Sequence, residues 1–166
     1  MVFYTEKIME AELLALARQL GVKLKANGKT VATAESCTGG GIAQIITEIA
    51  GSSAWFDCGF VTYSNNAKVR MLGVKPTTLE KYGAVSAEVA LEMASGALIH
   101  SDADCAIAVT GIAGPDGGSE EKPLGTVFIA RCYKNEPADI IRKHYVGNRH
   151  QVRTQTVKTA LEWLLL

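Results

Sequence analysis

A chain of 166 residues with 48% hydrophobic and 20% charged side chains can fill one ordinary core and is too apolar for disorder. Seventeen Lys and Arg balance seventeen Asp and Glu, so no global field pulls the protein onto nucleic acid or an anionic membrane. No apolar run approaches the roughly 18 residues of a membrane span. Glu6, Lys7, Glu10 and Glu12 interrupt the N-terminus where a signal peptide would be apolar. These features predict a cytoplasmic protein with a single domain over residues 1–166.

Over residues 9–26 the apolar Leu13, Leu16, Ala17, Leu20 and Leu24 recur at helical spacing, and Asn27-Gly28 ends that helix. Residues 30–34 read as a short buried strand, 35–41 as a turn, and 42–50 as a second helix. A strand follows at 59–64, and Asn65 or Asn66 caps a short helix carrying Lys68, Val69 and Met71. Thr77 or Thr78 opens another short helix. Ser86 with Glu88 opens a longer one, whose apolar face is Val89, Met93, Ala97 and His100.

Residues 105–110 are too apolar for a half-exposed strand and belong at the centre of the sheet. A glycine-rich turn occupies 111–118. Strands at 126–133 and 139–146 form a hairpin about Asn135-Glu136-Pro137, and the last helix covers 149–166. Early crossovers imply parallel pairing and the late hairpin antiparallel pairing, so the pattern predicts a mixed sheet with helices on both faces. The apolar tail Trp163-Leu164-Leu165-Leu166 either closes the core or forms part of a homo-oligomer interface.

Common motifs are absent. Cys37, Cys58, Cys105 and Cys132 show no CxxC spacing, and His100, His144 and His150 are scattered, so neither a metal site nor a disulfide framework is predicted. Gly28-Lys29-Thr30 has Lys23 where a P-loop needs glycine. Ala34 precludes GxSxG about Ser36, and Ala67 precludes SxxK from Ser64.

What remains is a geometric argument. Ser36 lies between a buried strand and a helix, followed by Thr38 and Gly39-Gly40-Gly41. It reads either as a helix cap or as a nucleophile beside free N–H groups that could hold an oxyanion. A serine without a histidine needs another base. A desolvated Lys68 can serve, with Tyr63 relaying or steadying the proton. Cys37 is a weaker nucleophile candidate. The turn from Thr110 through Gly111, Ala113 and Gly114 follows a buried strand, where α/β proteins bind ligands.

The runs Ala34-Glu35-Ser36-Cys37-Thr38-Gly39-Gly40 and Gly59-Phe60-Val61-Thr62-Tyr63-Ser64-Asn65 with Lys68 resemble the CinA C-terminal domain family. So do Gly83-Ala84-Val85-Ser86, the turn from Thr110 to Gly118, and Lys122-Pro123-Leu124-Gly125-Thr126-Val127. The resemblance implies a three-layer α/β/α fold with a mixed, mainly parallel sheet. For its stand-alone members it implies deamidation of nicotinamide mononucleotide to nicotinate mononucleotide and ammonia, with no cofactor or metal. It assigns Ser36 as nucleophile, Tyr63 and Lys68 as its helpers, and the glycine-rich turns as the frame of the nucleotide. A silent nucleotide-binding regulatory domain and a broader amidase are the alternatives.

Asn148 looks like the cap of the last helix, with Arg149 and Arg153 on its first two turns. Cations at a helix N-terminus oppose the macrodipole, and a bound phosphate would explain them. The resemblance extends to Gly147, Arg149, Val152 and Arg153.

Overall fold

The computed structural model describes residues 2–166. Met1 and the side chains of residues 2–6, Glu6 among them, lie outside the described residues. Helix α1 (Val2–Ala26) leads into strand β1 (Val31–Glu35), helix α2 (Gly41–Thr47) and strand β2 (Phe56–Val61). Three helices follow, α3 (Asn65–Leu72), α4 (Pro76–Tyr82) and α5 (Ala87–Ile99). The chain ends with β3 (Cys105–Gly111), β4 (Thr126–Tyr133), β5 (Asp139–His144) and α6 (Arg149–Leu165).

The strands lie in the order β2-β1-β3-β4-β5. β1 pairs parallel with β2 and β3, whereas β4 runs antiparallel to both β3 and β5. The sheet is mixed, and β4 alone opposes the common direction. β3 is central, as its apolarity predicted.

Alternation along the strands sorts two unlike faces. Val31, Ile107, Val109, Val127 and Ile129 point to one core, packed with Leu20, Ile42, Ile46 and Leu161 from α1, α2 and α6. Ala32, Ala34, Ala106, Ala108 and Ala130 point to the other, beneath Ala90, Met93, Ala94 and Ala97 of α5. Small side chains on both sides let α5 approach the sheet closely. The same economy recurs at Gly96, where any Cβ would strike the carbonyl of Leu72 at the end of α3.

Several boundaries differ from the sequence pattern. α1 starts at Val2 rather than Met9, since nothing upstream breaks a helix. β2 runs Phe56–Val61 rather than 59–64, which places Tyr63 beyond the strand. Ser64, not Asn65 or Asn66, caps α3, its side chain accepting the Ala67 N–H at 3.1 Å. α4 opens at Pro76, where the missing N–H costs nothing, while Thr78 donates its hydroxyl to Glu92. His100 is exposed at the end of α5. The first half of the tail packs into the core, with Trp163 and Leu164 buried, while Leu166 is exposed. Lys23 Nζ on α1 donates to the carbonyl of Leu165 at 2.7 Å, satisfying the C-terminal end of α6.

No helix among the described residues is long and apolar enough to cross a membrane. Chain connections leave β1 and β2 over opposite faces of the sheet, with α2 in one layer and α3 to α5 in the other. This opens a crevice at the carboxyl ends of the parallel strands, where α/β folds place their sites.

Candidate active site

Ser36 continues β1 by one residue, its N–H donating to Val109 O at 3.0 Å. The chain then turns through Gly39 (φ 62°) and Gly40 (φ 96°), both in the left-handed region where a side chain would be strained. Ser36 does not cap α2. The N–H groups of Ile42 and Ala43 donate instead to the carboxylate of Glu35, at 3.0 and 2.9 Å, and Thr38 Oγ1 donates to it at 2.6 Å. The Ser36 hydroxyl is thereby left for another partner.

That partner is Lys68. Its Nζ lies 3.0 Å from Ser36 Oγ and donates to Thr62 O at 2.7 Å. The side chain is 1% exposed and has no salt-bridge partner among the described residues. Burial pushes its pKa below the ordinary lysine value of 10.5, because desolvation penalises the ammonium form. The Thr62 carbonyl is itself fixed, since Thr62 N–H donates to Glu35 O at 2.9 Å. Cys37 is buried, and desolvation raises its thiol to about 12, so it is not a thiolate at neutral pH.

Ser36, Cys37, Lys68, Thr110, Gly111 and Ala113 share a cavity of about 190 Å³ with Ala84 and Val85, and Tyr63 and Arg149 complete its lining. Thr110 Oγ1 donates to Ala84 O at 2.8 Å, which ties β3 to the entry of α5. Gly111 must be glycine, because a Cβ would stand 2.6 Å from Val127 Cγ2. Tyr63 is 63% exposed, and its hydroxyl accepts from Arg149 Nη2 at 2.8 Å, while Arg149 Nη1 donates to Gly114 O at 2.8 Å. Arg149 therefore bridges the segment after β2 and the turn after β3 from the start of α6. Asn148 caps α6 as the sequence predicted, with Gln151 completing a capping box.

Thr38, Gly39, Gly40, Gly114 and Arg153 do not line the cavity. Arg153 braces the turn from behind, donating Nη2 to Thr38 O at 2.9 Å. Among the described residues, the N–H groups of Cys37, Thr38 and Gly40 have no backbone acceptor. Sequence reasoning missed Glu35. The available signal was a charged residue directly after a run of buried apolar positions.

A lysine enclosed against a serine at the carboxyl edge of a three-layer α/β/α sheet defines this class of site. The chain belongs to the CinA C-terminal domain family, whose model matches residues 13–166. It is 54% identical over 155 residues to the nicotinamide-nucleotide amidohydrolase PncC of Escherichia coli strain K12, covering 93% of this chain and 94% of that protein. It is 49% identical to the PncC protein of Pseudomonas putida, covering 92% and 95%. A solved structure of the competence/damage inducible protein CihA from Agrobacterium tumefaciens superposes with a TM-score of 0.90 at 52% identity, covering 92% of this chain and 93% of that one.

Proposed function

We propose that this protein hydrolyses the carboxamide of nicotinamide mononucleotide, giving nicotinate mononucleotide and ammonia. The amidohydrolase names of its relatives, which it matches over nearly their whole length, support the reaction. One observation supports the mechanism above all others: Lys68 Nζ sits 3.0 Å from Ser36 Oγ, buried and, among the described residues, without a carboxylate to hold it charged.

A neutral amine carries two N–H bonds and one lone pair. Donation to Thr62 O leaves the lone pair free to accept the Ser36 proton. Ser36 Oγ attacks the carboxamide carbon as its proton passes to Lys68 Nζ. The oxyanion is received by the Cys37 N–H, which follows the nucleophile directly, has no backbone acceptor among the described residues and belongs to a residue of the cavity lining. Lys68 then returns the proton to the departing nitrogen, and ammonia leaves an acyl-serine. Water attacks that ester, gives its proton to Lys68, and the proton passes back to Ser36 Oγ as the acid is released. Tyr63, expected to relay or steady the serine proton, has its hydroxyl bonded by Arg149 rather than by Ser36 or Lys68. It is therefore left out of the proton path and forms the rim with Arg149, where a guanidinium fork suits the substrate's phosphate.

The acyl-enzyme provides the test. Rapid acid quenching with nicotinamide mononucleotide, followed by peptide mass mapping, is expected to find the nicotinate-mononucleotide acyl group on the Ser36 peptide. Turnover with the adduct on another residue would overturn the assignment.

A further inference from the structure

Glu35 is the one fully buried carboxylate of the site, 0% exposed, and the mechanism above gives it no role. Its contacts do. Oε2 accepts from Thr38 Oγ1 at 2.6 Å and Ile42 N at 3.0 Å, and Oε1 accepts from Ala43 N at 2.9 Å. Its backbone belongs to the sheet, in register with Val61 on one side and Val109 on the other. Through its carbonyl it also holds Thr62, whose own carbonyl holds Lys68 Nζ. The carboxylate thus ties the end of β1 to the start of α2 and leaves only residues 36–40 to close the loop between them. Ser36 is the first of those residues.

Resting on the reading of Ser36 as nucleophile, we propose that Glu35 is a positioning residue that holds the Ser36–Gly40 turn so that Ser36 Oγ meets Lys68 Nζ. Both oxygens of the Glu35 side chain act as acceptors, and all three neighbours are donors. A glutamine has one acceptor oxygen and two N–H donors. Glu35→Gln must therefore set an NH2 against the N–H of Ile42 or of Ala43, and the turn has to shift. Thr38→Val removes one donor at nearly constant shape, whereas Thr38→Ser keeps the hydroxyl.

Two readouts test this on the folded full-length chain: steady-state ammonia release, and the rate at which a fluorophosphonate probe labels Ser36. In labelling, the Ser36 Oγ–P bond forms as the P–F bond breaks and the serine proton passes to Lys68. Glu35→Gln is expected to lower kcat and the labelling rate together by about tenfold or more, with KM within about threefold and melting still cooperative. Thr38→Ser should exceed Thr38→Val by about fivefold in both rates, and this pair carries the test if Glu35→Gln fails to fold. Equal rates in the two Thr38 variants would overturn the proposal, as would wild-type rates in Glu35→Gln. Wild-type labelling that responds to Glu35→Gln without any ammonia release would overturn the proposed substrate and leave the positioning role supported. Ammonia release untouched by Glu35→Gln would overturn only the positioning role.

Discussion

Lys68 Nζ stands 3.0 Å from Ser36 Oγ, although 32 residues separate the two in the chain. α3 delivers the lysine and the end of β1 delivers the serine, so the pair exists only once the parallel β1–β2 ladder has formed. The neutral amine is favoured by the same burial that removes the lysine from water.

This pairing predicts how rate responds to pH and to substitution. Only the unprotonated amine accepts the serine proton, so kcat/KM should rise with pH as Lys68 loses its proton, at a pH below 10.5. Lys68→Arg keeps the charge but cannot release its proton. It should therefore lose activity as completely as Lys68→Ala, by about a hundredfold or more. Substantial rescue by arginine would mark Lys68 as an electrostatic clamp.

Cys37 should be dispensable for the chemistry. Its thiol is pushed to about 12 by burial, so iodoacetamide at neutral pH should modify it far more slowly in the folded protein than after unfolding. Cys37→Ala should keep kcat within about threefold and lose about 1 kcal/mol of stability to the small cavity left behind. Kinetics alongside a urea melt checks both.

The hydroxyl of Tyr63 and the guanidinium of Arg149 act as one unit, bonded at 2.8 Å. Tyr63→Phe and Arg149→Ala should each weaken the preference for nicotinamide mononucleotide over its dephosphorylated riboside, and the double variant should show less than the summed effect. Arg153, which faces Thr38 O from behind the turn, should lower kcat when replaced by alanine and leave that preference intact. Measuring kcat/KM for both substrates on all four variants separates a phosphate clamp from a brace.

The parts legible in the sequence were those governed by local rules. Ser86 and Asn148 were readable caps because each side chain bonds an N–H three residues on. The central place of β3 was written in its uninterrupted apolarity. At α3 the predicted cap, Asn65 or Asn66, was displaced to Ser64, whose backbone is extended at φ −89°, ψ 158°, as a cap requires. The meeting of Ser36 with Lys68 was suggested by chemistry and by family resemblance, not by spacing. The charge of Glu35 at the end of a buried strand was a signal that something must satisfy it, but its donors at positions 42 and 43 follow no local pattern. The Arg149–Tyr63 contact spans 86 residues, and no periodicity reports it.

Ammonia release from nicotinamide mononucleotide, measured on the wild-type chain and on Ser36→Ala side by side, tests the central claim most directly. The hydroxyl serves no helix cap, so the variant should fold and melt like the wild type. Its kcat should fall by about a thousandfold, as loss of a nucleophile implies. A folded Ser36→Ala protein that kept about a tenth of wild-type turnover would contradict the account.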